Sequence, residues 1–347
     1  MAIIGTTAAT LADWASRQDD EGKSAYIVEL LAQSNEVLDD MLWLEGNQPT
    51  GHVTTVRTGL PSATWRILNY GVQPTKSTTA KITDTCGKLE TFIEMDCALA
   101  ELNGNSADFR LSESEAFMEG ISQQMAQAVF YGNQAVNPER ITGFAPRYNT
   151  VQTSIAASAK NVVDAGGTAG NNTSMWLVVW GPNTVHGIFP KGSQAGLVHR
   201  DLGEQTKIFS DNSLMQVYRD NFRWDNGLCV RNWQYVVRVA NIDVTQLNSG
   251  SAANLVNLLI RMVNRVPTMP PGITSTQNTD TPKIRGGMGR SAIYMNRTLK
   301  TYFDIQAVNK NNVLLSITEW EGKLVTNFRG IPFRTCDAII NTEARVV

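Results

Sequence analysis

Three histidines, His52, His186 and His199, and four cysteines, Cys86, Cys97, Cys229 and Cys336, are the side chains best suited to nucleophilic, acid–base or metal chemistry in this chain. Their spacing speaks against each use. The histidines are too far apart in sequence to form the His-x-x-x-His face of a metal-binding helix. No two cysteines make the Cys-x-x-Cys pair of a zinc knuckle. His186 lies among Val185, Ile188 and Phe189, a setting for a hydrogen-bonded core or turn histidine. Cys86 and Cys97 could face each other across a turn, but free thiols are expected in a reducing cytoplasm. Gly286-Gly-Met-Gly289 has no following Lys-Ser/Thr and leads into a strand, which removes a phosphate-loop reading. Gly192-Ser-Gln-Ala-Gly196 follows Lys191, so the first glycine of a nucleophile elbow is missing. The pairs Asp19-Asp20 and Asp39-Asp40 point apart on a helix and read as solvated or helix-end charge. Asn172-Thr-Ser174 and Asn296-Arg-Thr298 match the glycosylation pattern without a secretory signal to give it meaning. No catalytic residue, cofactor or metal is expected.

The elements that would have to position such residues look like those of a building block. Ser112 to Tyr131 predicts a long helix, with Ser112 and Glu115 as a capping box. Phe117, Ile121, Met125 and Val129 form its apolar stripe, Met118 and Ala128 lie beside it, and Gly132 is the stop. About twenty residues make a rod of roughly 30 Å. Ahead of it, Ser24 to Asp40 predicts a helix running into the apolar Met41-Leu-Trp-Leu44. His52–Arg57 and Thr64–Tyr70 predict strands, followed by the polar Lys76–Asp84 and the alternating Lys88–Met95. A long polar hairpin without its own core is costly to order unless it docks, so we read it as a docking loop rather than a solvated sheet edge.

Further along, Asn137–Phe144 predicts a turn and short strand, and Ser174–Trp180 a buried strand. Leu214 to Val244 reads as a long hairpin turning at Asn226-Gly227. A helix capped by Ser249 covers Leu255 to Val263 and stops at Pro267. Ser291–Met295 is a strand, Arg297–Ala307 a helix, and Val313–Trp320 and Lys323–Val347 the last strands. The whole is α+β, without internal repeats.

The chain has 347 residues, 30 Lys+Arg against 32 Asp+Glu, 42% hydrophobic and 18% charged residues. Its cationic residues are scattered, unlike an electrostatic nucleic-acid surface. No signal peptide or membrane span is visible, so a soluble protein made in a cytoplasm is expected.

Phe130-Tyr-Gly-Asn133 followed by Asn137-Pro-Glu-Arg-Ile-Thr-Gly143 resembles the end of the spine helix in major capsid proteins of tailed bacteriophages. Met175 to Gly192 (Met-Trp-Leu-Val-Val-Trp-Gly-Pro-Asn-Thr-Val-His-Gly-Ile-Phe-Pro-Lys-Gly) shares that resemblance. So do Ile293-Tyr-Met-Asn-Arg-Thr-Leu299 and Phe328-Arg-Gly-Ile-Pro-Phe333, and the likeness is greatest to coat proteins of short-tailed phages of the epsilon-fifteen type. It implies the Hong Kong 97-like fold. Residues 1–46 would then be the N-arm, 47–98 the E-loop reaching across a neighbour, and 99–150 the peripheral domain with its spine helix. Residues 151–202 would begin the axial domain, 203–245 would be the peripheral long hairpin, and 246–347 the rest of the axial domain with returning strands. The resemblance implies a structural protein that forms hexamers and pentamers of an icosahedral shell around double-stranded DNA, without sequence-specific binding. Scaffolding from a separate chain, decoration proteins and a portal would be its partners, and the virion capsid its location. A crosslinking Lys–Asn pair cannot be identified. Trp65, Arg66, Lys76 and Lys81 are the candidate inter-subunit contacts. The alternatives are an encapsulating-compartment or tail-tube subunit and, in another class, a hydrolase with an unrecognised site.

Overall fold

The computed structural model describes residues 32–102, 106–168, 170–248, 253–267, 290–308, 315–320 and 323–347. Its strands are β1 (Trp43–Glu45), β2 (Gly51–Gly59), β3 (Thr78–Asp96), β4 (Val162–Asp164), β5 (Asn172–Trp180), β6 (Val185–Phe189), β7 (Val198–Ile208), β8 (Leu214–Val230), β9 (Val236–Asp243), β10 (Arg290–Met295), β11 (Leu315–Trp320), β12 (Lys323–Phe328) and β13 (Ile331–Thr335). The helices are α1 (Val37–Asp40), α2 (Cys97–Ala100), α3 (Ser106–Tyr131), α4 (Phe144–Arg147), α5 (Val244–Asn248), α6 (Leu255–Val263) and α7 (Arg297–Val308). The strands join in the order β11-β12-β13-β10-β5-β6-β8-β3-β2, with β9 and β4 beside β5, β7 beside β8 and β1 beside β6.

Every residue of β5 is buried, as its unbroken apolar run predicts. Successive side chains of a strand point to opposite faces, and both faces here are covered. Trp176, Val178 and Trp180 join Val236, Ala240, Ala292 and Tyr294 in a core that receives Met125, Val129 and Phe130 of α3. Met175 and Leu177 join Val237, Val239, Ile293 and Met295 in a second core under Leu258, Leu259 and Met262 of α6 and Leu299 and Phe303 of α7. A third cluster sets Phe109 and Ile121 of α3 on Ile93 and Met95 of β3 and Phe222 of β8. One helix therefore bridges two cores, resting Phe109 and Ile121 on the β3–β8 pair and Met125, Val129 and Phe130 on the central sheet.

Several sequence-based expectations are corrected. The long helix begins at Ser106, not Ser112, and Ser112 is no cap: its hydroxyl donates to the Phe109 carbonyl within the helix. Met118, expected beside the stripe, is exposed, while Ala126 is buried. Gly132 stops the helix by close approach, since a Cβ there would lie 2.4 Å from the Ile141 carbonyl oxygen and 2.5 Å from that of Ala128. Asn226-Gly227 is not a turn. Strand β8 runs straight through it, pairing Asn226 with Gly87 and Gly227 with both Cys86 and Ile188. Glycine is needed there because a Cβ would sit 2.8 Å from Ile188 Cγ1 and 2.8 Å from the Thr85 carbonyl oxygen. The hairpin partner of β8 is β7, which the sequence pattern did not suggest, and β9 pairs with β5 and β4 instead. The real turn lies at Phe209–Ser213, where Asn212 takes a positive φ of 61°.

Thr64–Tyr70 is not a strand, because no strand pairs with it, and Asn137–Phe144 makes the expected turn but runs into α4 without a strand. Lys76–Asp84 and Lys88–Met95 merge in the single 19-residue β3. That places Cys86 within β3 and Cys97 just past its end, so they do not oppose each other across a turn; all four thiols are free. Only Val37–Asp40 of the expected 24–40 helix is helical among the described residues, and Trp43–Glu45 is a strand. The cap of α6 is Asn254, whose side chain accepts from the Asn257 amide; Ser249 lies outside the described residues, as do Asp19-Asp20 and Gly286–Gly289. The final segment holds β12 and β13 around a turn at Arg329-Gly330, then an irregular tail. Asn172 and Asn296 are buried, so neither can accept a glycan.

Asp40, expected to be solvated or helix-end charge, is buried. Arg290 lies 2.9 Å and Arg334 3.2 Å from its carboxylate, and the Tyr294 hydroxyl donates to it at 2.9 Å. A second buried ion pair closes the chain. Glu343 lies 2.8 Å from Arg238 and also accepts from the hydroxyls of Tyr131 and Ser174, while its backbone amide donates to the Asn172 carbonyl at 2.8 Å. Arg238 donates to the Tyr148 carbonyl at 2.9 Å and stacks 4.9 Å over the Trp176 ring. Removing one partner of such a pair leaves an uncompensated buried charge. Glu343→Ala is therefore expected to destabilise the unassembled chain by about 3–5 kcal/mol, read as a lower midpoint in urea denaturation.

Candidate functional site

Residues 50–96 form an arm with two unlike ends. From Gly51 to Gly59, β2 pairs with the first part of β3. Every residue from 60 to 83, which takes in the tip and the paired start of β3, is exposed. The tip folds on itself through few contacts: Thr75 Oγ1 donates to the Ser62 carbonyl at 3.0 Å, and the Tyr70 amide to that of Ile67 at 3.2 Å. Asn69 turns the chain with φ of 68°. Leu60, Trp65, Ile67, Leu68 and Tyr70 lie open to solvent on this tip. Monomeric proteins rarely expose contiguous apolar patches of this kind, which mark contact surfaces.

The four predicted contact residues are all exposed on the arm, though not as a cluster in one element. Trp65 and Arg66 sit in the tip, Lys76 lies two residues before β3, and Lys81 is within β3 opposite Thr55. None of the three cations is in an ion pair among the described residues. Leu60, Ile67, Leu68 and Tyr70 belong to the same surface. For Ile67, Leu68 and Tyr70 the signal in the sequence is the apolar, β-prone composition that predicts a strand over Thr64–Tyr70; Leu60 lies in the Gly59–Pro61 punctuation before it.

The root is rigid where the tip is open. Asp84 is buried and bound at 2.7 Å by Arg147, which also donates to the carbonyls of Thr142 and Leu228. The Asn47 amide group brackets Val53, donating to its carbonyl and accepting from its amide, both at 2.8 Å. At Gly51 the strands approach so closely that a Cβ would lie 2.1 Å from the Asp84 carbonyl oxygen.

Two of the three histidines meet at this root across strands, not on the single helix face that their spacing ruled out. His52 and His186 face each other edge to face with ring centroids 5.8 Å apart, and Cys229 lies directly opposite His186 across the β6–β8 pair. Burial lowers the proton affinity of His52, with Arg231 adding to it. Burial pushes His186 down to about 4, helped by His52 and Arg231, and pushes the Cys229 thiol up to about 12, helped by Asp84. Nothing in the one-dimensional sequence could pair these residues, because they come together only through strand register. His199 stands apart, stacked on Phe222 at 4.6 Å and hydrogen-bonded to Asp220 at 3.1 Å.

Farther along, β3 is fixed to its platform by Glu94, 2.5 Å from Lys207 of β7 and 2.5 Å from Arg219 of β8. The Lys207 hydrogen bond holds the Glu94 carboxyl below its usual value of 4.5 against the opposing effect of burial, and Arg219 adds to the lowering. A carboxyl depressed in the folded state adds stability above its unfolded pKa, and that stability is lost as pH falls through the folded pKa. Glu94→Gln is thus expected to reduce stability at pH 7 and to flatten its decline on acidification below pH 4.5, measured by urea denaturation across pH.

The model of the family described as major capsid protein GP7 matches residues 19–347. No curated protein matches the chain. Among solved structures, that of bacteriophage Epsilon15, from cryo-EM and modeling, is 34% identical over 100% of this chain and 99% of its own, with a TM-score of 0.77. The capsid of the native GTA particle is 12% identical over 67% of this chain and 98% of its own, with a TM-score of 0.44. The holo-SrpI encapsulin complex of Synechococcus elongatus is 12% identical over 69% of this chain and 98% of its own, with a TM-score of 0.43.

Proposed function

The chain belongs to the major capsid protein GP7 family and is a phage capsid shell subunit with the Hong Kong 97-like α+β fold; from that premise we propose that its exposed arm is the element that joins one subunit to the next. The observation that carries this reading is the unbroken exposure of residues 60–83 with five large apolar side chains in the tip. Ordering such a segment costs conformational entropy that its own contacts do not offset, and burial on a neighbouring copy supplies what is missing. Trp65 is the central anchor, since aromatic side chains dominate interface energetics. Arg66, Lys76 and Lys81 meet acceptors or carboxylates on that neighbour. In this reading residues 47–98 act as an E-loop, α3 is the spine beneath it, and 151–202 with 246–347 form the axial part around which copies gather as hexamers and pentamers.

The shell encloses double-stranded DNA and is assembled in the host cytoplasm with scaffolding, decoration and portal partners. A net charge of −2 supports a wall that contains DNA without gripping it. Replacing residues 60–77 by a short Gly-Ser link keeps the paired part of β2 and β3 and tests the arm directly. Soluble, folded subunits that form no shells are expected, and normal shells would refute the assignment. Trp65→Ala is expected to leave the stability of the unassembled chain within about 0.5 kcal/mol. It should weaken assembly by about 2 kcal/mol per contact, raising the protein concentration needed for shells in light scattering.

A further inference from the structure

We propose that His52, His186 and Cys229 form a binding site for one zinc-class transition-metal ion at the root of the arm. One ligand atom from each residue lies within 4.8 Å of the others. The three come from β2, β6 and β8. His186 and Cys229 are cross-strand partners, and His52 is the partner of Asp84 in β3. His186 is 1% exposed and Cys229 is fully buried.

The decisive observation is what the imidazoles lack. Nδ1 of His186 and Nδ1 of His52 are both buried without a hydrogen-bond partner, while the His186 ring keeps an interaction with the Gly181 backbone. Buried polar atoms are normally satisfied, and leaving one unmet costs about 1–3 kcal/mol. The neighbouring thiol is little help, since Thr54 Oγ1 lies 3.8 Å from Cys229 Sγ and Asp84 also takes part in its hydrogen bonding. A single cation between the three would satisfy two nitrogens and a sulfur together. A ring held on one side by backbone and free on the other is the usual posture of a metal-ligating histidine.

Donor chemistry selects the metal. Two imidazoles and a thiolate suit zinc, cobalt or copper, whereas magnesium and calcium take oxygen ligands. Tetrahedral zinc with its usual bond lengths sets ligand atoms about 3.3–3.6 Å apart, so ligand atoms that lie within 4.8 Å of one another need close by at most about 1.5 Å on binding. Cys229 binds as thiolate, and its proton passes to solvent as the sulfur–metal bond forms. The ion would tie three strands together where the arm leaves the sheet, independently of what the tip contacts.

Cobalt(II) reports the site through its thiolate charge-transfer band and the visible bands of tetrahedral coordination. Full-length chain, stripped with a chelator and titrated with cobalt(II), is expected to bind one equivalent with both signatures, and zinc should bleach them. Cys229→Ser should abolish the charge-transfer band, and His186→Asn should weaken cobalt binding at least about tenfold; Cys86→Ser should change neither. The proposal is overturned if the wild-type chain shows no charge-transfer band in cobalt excess, a result that does not depend on any variant folding. It is also overturned if the band persists in Cys229→Ser, which would place the sulfur ligand elsewhere.

Discussion

The buried pair of Arg238 and Glu343 is the contact through which the rest of the subunit is held. Both side chains are nearly sealed from solvent, and a charge in that position is tolerated only when its partner and its hydrogen bonds are in place. The partners come from everywhere: β9 supplies the arginine, β5 the Ser174 hydroxyl, the end of α3 the Tyr131 hydroxyl, and the C-terminal tail the carboxylate. The guanidinium also lies over Trp176, the ring at the centre of the aromatic cluster with Phe130, Phe144 and Tyr148. Helix, sheet and tail thus share one electrostatic condition. The tail must return for the long helix to be seated, and the seated helix in turn orients the sheet pair that carries the arm.

Much of this architecture was legible where a local pattern and its tertiary surroundings agree. The continuous apolar run at Ser174–Trp180 fits a buried strand, and it is one, covered on both faces. The strand at Ser291–Met295 and the helix from Arg297 were read from the same logic. Failures came where a local signal was overridden by partners far away in sequence. Asn226-Gly227 has the composition of a tight turn, yet its glycine serves close packing against Ile188 and Thr85. Ser112 and Glu115 have the spacing of a cap but sit inside a helix that starts at Ser106. Thr64–Tyr70 has the side chains of a strand with no strand to pair with, so propensity alone could not make it one.

The proposed contact surface was partly visible for a related reason. A polar hairpin with no core of its own was recognisable as a segment that needs something to lie on, and Trp65, Arg66, Lys76 and Lys81 all prove to be exposed on it. The apolar neighbours Ile67, Leu68 and Tyr70 are hidden by the strand pattern of Thr64–Tyr70, and Leu60 by the Gly59–Pro61 turn signal. Asp40 was hidden by its neighbour: beside Asp39 it looked like surface charge, but the two diverge, and only Asp40 turns inward to Arg290 and Arg334. The cluster of His52, His186 and Cys229 lies at the far limit of sequence reading, since it exists only when three strand registers are fixed at once.

Because β3 is unbroken over its 19 residues, arm and platform share a single beam about 60 Å long. A beam without an interior joint carries torque. Tilting the exposed end near Thr78 would twist the same strand at Ile93 and Met95, directly beneath Phe109 and Ile121 of the long helix. Angular mismatch between neighbouring copies on a curved wall would then be spread as torsion along the strand rather than taken up as a bend at one point. The stiffness of the container would be set inside each subunit as much as at the seams between them.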